Sequence, residues 1–283
     1  MAESVFEKIS RDYYELTAVE KRTADYVMAN QERCQELSIA ELAELSGVAE
    51  ATVSRFCRRL GYKGFNAFKL AIANASAAGA DSGVLSGPVA EGDSVEEMCQ
   101  KLYSADQDAM FQTLELIEPE KIRKAADLLW AAGRVVCMGQ GGSMLLAEVA
   151  GNLFATVSGK FSSMSDSHSQ VVTAVNMDPE DVILFFSYSG ATRDMLDTMR
   201  AAKTRGVKLL LVTRFPKSPG ASLADVTLLC GSNEGPLQLG SVPAKIAQLF
   251  LVDVLFSEYC RRDLKTCRQS RGRVAAAMEG KHL

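Results

Sequence analysis

Two short capped helical segments separated by a glycine near the N-terminus, and five short apolar runs alternating with helical stretches downstream, predict an α/β chain in two parts. The first is an all-α helix-turn-helix domain; the second is a doubly wound, five-stranded parallel sheet. The expected divisions are 1–76 for the helical domain, 77–94 for a flexible linker, and 95–283 for the sheet domain with a helical lead-in and a basic C-terminal tail. The linker is read from composition: residues 75–83 are small and polar, and Ser86-Gly87-Pro88 follows, so no periodic face is there to bury.

Composition narrows the classes. With 283 residues and 47% hydrophobic content the chain can bury two cores. A net charge of −4 argues against indiscriminate polyanion binding, so any nucleic-acid contact must rest on local charge. The seven cysteines (34, 57, 99, 137, 230, 260 and 267) are odd in number, scattered and without a C-x-x-C pair, which suggests neither a disulfide framework nor a zinc site. A reduced, cytoplasmic protein with no metal and no cofactor is expected. No signal-peptide pattern opens the chain and the apolar runs are too short to span a bilayer, so no membrane contact is expected.

In the helical part, Thr17-x-x-Glu20 has capping-box spacing and opens a segment with Ala24, Val27 and Met28 at helical intervals. Ser38-x-x-Glu41 opens the next helix, 39–46, which Gly47 breaks; a third helix runs from about 50 to 60. A glycine turn, the small Ala43, and apolar Leu42, Val48, Val53 and Phe56 at the packing positions are the pattern of a helix-turn-helix. From 51 to 80 there is no Asp or Glu, while Arg55, Arg58, Arg59, Lys63 and Lys69 are all present. The N-terminal half of the second helix of such a motif meets base edges, which nominates Glu50, Thr52, Ser54 and Arg55 as readers. Arg58, Arg59, Lys63 and Lys69 are assigned to phosphates. A helical dimerisation module with a solvated basic face is the competing reading.

After the linker, helices are expected at 95–116 and from Pro119 to about 132. Strands are expected at 135–138, 160–164, 182–186, 208–213 and 226–230. The run Val182-Ile183-Leu184-Phe185-Phe186 reads as a strand buried on both faces, and it leads through Ser187, Ser189, Gly190 and Thr192 into a helix. Small hydroxyl residues and a helix start supply donors without bulk, which suits a phosphate, and Gly190 lets the backbone approach closely. Ordinary loop residues with Thr192 as a cap would look the same. A second loop, Gly139-Gln140-Gly141-Gly142-Ser143, fails as a dinucleotide fingerprint because Met144 takes the third glycine position. A hydrolase elbow is also absent, since Phe185 and Ser187 occupy the positions where its first glycine would fall.

The stretches 37–43 and 48–65, with Val53-Ser54-Arg55-Phe56-Cys57-Arg58-Arg59-Leu60-Gly61-Tyr62, closely resemble the N-terminal domain of the RpiR/MurR family of bacterial transcriptional regulators. Members join this domain to a sugar isomerase (SIS) domain that senses a phosphosugar. The two loops at 139–143 and 187–192 match the phosphosugar loops of SIS domains, and the likeness extends from about 135 to 259. It implies that Ser143, Ser187, Ser189 and Thr192, within loops that include Gly141, Gly142 and Gly190, hold the ligand phosphate. It also places His168 and Asp166 beside the sugar hydroxyls; Glu148, in the helix after Ser143, and Lys245 could also face the ligand. Ala49 stands where the family usually has a capping Ser, and Lys245 where relatives often carry Arg.

The C-terminal helix expected at 244–259 is apolar nearly all round, and Arg261, Arg262, Lys265, Arg268, Arg271 and Arg273 follow it as a basic tail. The function expected is therefore a non-enzymatic regulator, a homodimer or homotetramer on an operator in double-stranded DNA, controlled by a phosphosugar effector. An aldose–ketose phosphate isomerase and a protein-binding phosphosugar sensor are the competing classes.

Overall fold

In the computed structural model, which describes residues 4–279 apart from 32, 36, 78–88 and 233–240, the N-terminal helices start where short polar side chains take up free first-turn N–H groups. Ser4 and Glu7 cap α1 (Val5–Asp12), Thr17 and Glu20 cap α2 (Ala18–Ala29), and Ser38 and Glu41 cap α3 (Ile39–Ser46), each as a reciprocal box. Gly47 ends α3 in the left-handed region, with φ 65°, and its N–H bonds back to the last turn. Next come α4 (Glu50–Arg59) and α5 (Phe65–Ala77). One core holds these helices together. Ile9, Val27, Leu42, Val53, Phe56, Phe68 and Ile72 are buried in it, and Phe56 meets Phe68 edge-on at 5.5 Å. Burying each such side chain contributes about 1.5–3 kcal/mol. Most of the expected linker, 78–88, lies outside the described residues.

The chain divides into two compact units, one of Met1–Gln112 with Phe215–Lys217 and Gly231–Ile246, the other of Thr113–Arg214, Ser218–Cys230 and Ala247–Leu283. The division falls inside α6 (Val95–Leu116), the first of the expected lead-in helices; α7 (Pro119–Ala131), with Pro at its start, is the second.

The sheet runs β1 (Val135–Gly139), β2 (Phe161–Met164), β3 (Val182–Phe186), β4 (Lys208–Thr213) and β5 (Val226–Leu229), in spatial order β2-β1-β3-β4-β5 with every pairing parallel. Helices α8 (Ser143–Ala155), α9 (Ser167–Val175), α10 (Arg193–Thr204) and the short α11 (Pro219–Leu223) make the crossovers. The chain leaves β1 in one direction to reach β2, then returns past it to β3. That reversal puts the topological switch point between β1 and β3. All five residues of β3 are buried, as expected of a central strand. Ile183 and Phe185 face Met195 and Met199 of α10 and Ala174 of α9. On α8, Phe154 stands 4.7 Å from Phe161, 5.2 Å from Phe256 and 5.4 Å from Tyr259, ring to ring.

Helix α12 (Val242–Cys260) agrees with the expected C-terminal helix. The basic stretch beyond it, expected only as a tail, folds into a further helix, α13 (Leu264–Met278), whose start Asp263 caps by accepting from Thr266 N–H at 2.9 Å. Among the described residues no helix is long and apolar enough to cross a membrane, and no group of three His, Cys, Asp or Glu residues is placed to hold a metal ion.

Candidate functional site

The basic motif converges on one face of α4. Glu50, Arg55 and Arg58 are exposed and Ser54 half-buried, while Val53, Phe56 and Cys57 turn into the core. Thr52 does not share the outer face. It is buried, and its hydroxyl accepts from the Arg55 guanidinium at 3.4 Å. Two of the expected phosphate contacts are likewise engaged inside the domain. Arg59 pairs with Glu20 at 3.3 Å and donates to the Glu15 carbonyl, and Lys69 donates to the Leu37 carbonyl at 2.9 Å. Lys63 is exposed. At the start of α4, Ala49 supplies the extended cap geometry (φ −80°, ψ 149°) but no side-chain acceptor.

The two candidate loops leave neighbouring strands at the switch point. Gly139 and Phe186 are register partners at the ends of β1 and β3, so the loops that follow leave the carboxyl edge side by side. Each has local reasons for its path. A Cβ on Gly139 would stand 2.4 Å from the Ser143 carbonyl oxygen, which no side chain allows, and Gly141 takes φ 53°. Ser143 N–H then closes on Gln140 O at 3.1 Å as α8 begins. In the other loop Ser187 is buried and its Oγ accepts from Gly190 N–H at 3.2 Å, while Ser189 Oγ accepts from Ala191 N–H at 3.2 Å. Thr192 is the N-cap of α10, yet its side chain makes no cap hydrogen bond. Ser189 and Thr192 are half-buried beside that helix start. An anion placed here meets oriented N–H groups and hydroxyls with no lysine required.

Neighbouring elements clamp both loops, and their roles are not marked in the sequence. Gln170 of α9 is fully buried. Its amide donates to Gly139 O at 2.9 Å and Met164 O at 2.8 Å, and its carbonyl accepts from the Gln140 side chain at 2.8 Å. One side chain thus joins the ends of β1 and β2 to the glycine loop. On the other side Gly220 N–H donates to Gly190 O at 2.8 Å, Thr213 Oγ1 and Arg214 N–H both donate to Tyr188 O, and the buried Ser218 hydroxyl lies where a Cβ on Gly190 would fall, at 2.1 Å. A glutamine inside a helical pattern reads as a surface residue, so nothing local could have nominated Gln170.

Asp166 and His168 do lie beyond β2 on the same carboxyl edge. The Asp166 carboxylate, however, is the cap of α9: it accepts from Ser169 N–H at 2.7 Å, and the Ser169 hydrogen bonds hold its carboxyl below the usual range. His168 is exposed on the first turn of α9. Glu148 is half-buried on α8, and Lys245 on α12 donates to Ser241 O at 3.4 Å.

Comparison with known proteins bears on both domains. The sequence matches the rpiR-family helix-turn-helix domain over residues 3–79 and the SIS domain over residues 128–258. It is 32% identical over 240 residues to the uncharacterized HTH-type transcriptional regulator TTE0211 of Caldanaerobacter subterraneus, covering 85% of this chain and 84% of that protein. With the HTH-type transcriptional regulator HexR of Pseudomonas aeruginosa it shares 29% identity, over 89% of this chain and 87% of HexR. Among solved structures, the Vibrio vulnificus NanR protein complexed with ManNAc-6P superposes with a TM-score of 0.63 at 23% identity, covering 99% of both chains, which is a likeness of fold. Both domain matches in order, and regulators 32% and 31% identical over most of its length, show that the chain belongs to the rpiR family of helix-turn-helix transcriptional regulators that carry a SIS domain.

Proposed function

We propose that this regulator binds a phosphosugar in the crevice between β1 and β3, and that the bound ligand sets its affinity for an operator in double-stranded DNA. The observation that carries the reading is the meeting of the 139–143 and 187–192 loops at the Gly139–Phe186 register pair. Ser143, Ser189 and Thr192, with the backbone of Gly141, Gly142 and Gly190, surround the phosphate; Ser187 supports Gly190 from below. His168 meets the sugar, and Asp166 acts through its cap on α9. The NanR structure with its sugar phosphate supports this choice of ligand class, as a fold relative.

On the DNA side, Glu50, Ser54 and Arg55 read bases, and Arg58 and Lys63 meet phosphates. Thr52, Arg59 and Lys69 hold the motif in shape. A symmetric homodimer or homotetramer sets two α4 helices in successive major grooves, in the cytoplasm, and the protein turns over no substrate.

The test is a thermal-shift screen of purified protein against sugar phosphates and the matching unphosphorylated sugars, because a selective ligand raises apparent stability by mass action. A rise that requires the phosphate and vanishes in Ser189→Trp, with DNA binding retained, is expected. A normal response from Ser189→Trp would refute the site. Product analysis of the responding mixture checks for isomerisation.

A further inference from the structure

Helix α13 lies beyond both family matches, which end at 79 and 258, and it is built unlike the rest of its unit. Its sequence holds Lys265, Arg268, Arg271 and Arg273 and not one carboxylate, in a chain whose net charge is −4. Only Cys267 and Ser270 are buried, and every residue from 271 to 279 is exposed, including Val274 at 36% and Met278 at 46%. Elsewhere in this unit Arg123, Arg200, Lys203, Arg205, Arg261 and Arg262 each stand within salt-bridge distance of a carboxylate. Among the described residues the four cations of α13 form no such pair. Arg271 lies over the Phe256 ring at 5.8 Å, and Arg273 donates to Ser270 Oγ at 2.9 Å, which leaves further donors on both guanidiniums.

With Cys267 and Ser270 marking the inner side, Lys265 and Arg268 fall on the opposite face at 3.6 residues per turn, Arg273 borders that face, and Arg271 lies nearer the inner side, over the Phe256 ring. From Lys265 to Arg273 the helix advances about 12 Å, the length over which one strand of B-DNA presents roughly three to four phosphates. A solvated helix that carries four cations and no carboxylate of its own concentrates positive field along its length.

We infer that α13 is a second DNA-contact element, lying along the phosphate backbone of duplex DNA and adding sequence-independent affinity to that of α4. The inference rests on the reading of the chain as a DNA-binding regulator. Its partner is duplex DNA rather than a membrane or a second copy, because the helix offers cations at phosphate spacing and only scattered aliphatic side chains.

The experiment is a salt titration of full-length protein binding to a random-sequence duplex, comparing wild type with Lys265→Gln/Arg268→Gln/Arg273→Gln. Each lost phosphate contact lowers the steepness of log affinity against log salt by about 0.9, so the triple variant is expected to lose roughly two to three of these increments. The charge-preserving variant Lys265→Arg/Arg268→Lys/Arg273→Lys should restore the slope, and unchanged thermal midpoints show that all variants fold. An Arg58→Gln/Lys63→Gln variant serves as the reference for α4. If that reference loses slope while the α13 triple variant does not, the inference about α13 is overturned and the DNA-binding reading stands. No duplex binding by wild type overturns both. A triple variant with wild-type slope that instead changes its sedimentation coefficient, or its binding to phosphatidylserine vesicles, also overturns it.

Discussion

Ala49 shows how a single side chain tunes the reading head without altering it. Its backbone already has the extended geometry of an N-cap, and Thr52 N–H closes on its carbonyl at 2.8 Å, but no side-chain oxygen caps the first turn of α4. Ala49→Ser is therefore expected to raise the stability of the helical domain by about 1 kcal/mol, seen as a higher denaturant midpoint with no change in slope. An unchanged or lower midpoint would mean that the α4 start is satisfied in another way. The same reasoning separates Thr52 from Arg55: two neighbours on one helix, one turned into the core and one to solvent, joined by a 3.4 Å hydrogen bond.

Among the elements, α9 does the most to shape the candidate ligand crevice, although most of its length reads as an ordinary crossover helix. Gln170 on its inner face holds the ends of β1 and β2 and the side chain of Gln140 at once. Replacing it with Leu leaves the buried Gly139 carbonyl and the half-buried Met164 carbonyl without that donor, a cost of about 1–3 kcal/mol. Gln170→Leu is expected to weaken the phosphosugar-induced rise in melting temperature while leaving duplex binding at its wild-type level. Equal ligand shifts in variant and wild type would make Gln170 a core residue with no part in the site. Helix α11 acts in the same way on the other loop, through Gly220 N–H on Gly190 O.

For the molecule as a regulator, both sites must draw on one conformational equilibrium. A ligand changes DNA affinity only by favouring one arrangement of the chain over another. If a phosphosugar changes duplex affinity by some factor, the duplex must change phosphosugar affinity by the same factor, with couplings of about 1–3 kcal/mol being typical. Titrating the effector with and without saturating duplex is expected to show that matched factor. Equal effector affinities in both titrations would leave two binding functions in one chain and no switch.

What could be read from residues alone was whatever neighbours along the chain decide. The capping boxes at Thr17 and Ser38, the glycine stop at 47, and the uninterrupted Val182–Phe186 run each depend on residues within about a turn or a strand, and each is observed. The loop residues at 139–143 and 187–192 were legible for the same reason. Their meeting was not: it depends on β3 pairing with β1 rather than with β2, a choice made by crossovers and sheet burial. Nor could local pattern place the Gln170 amide on a carbonyl 31 residues away, turn Arg59 to Glu20 across 39 residues, or leave α13 uncovered. Such contacts are fixed by which surfaces close on one another, and helical or strand periodicity carries no record of the partner.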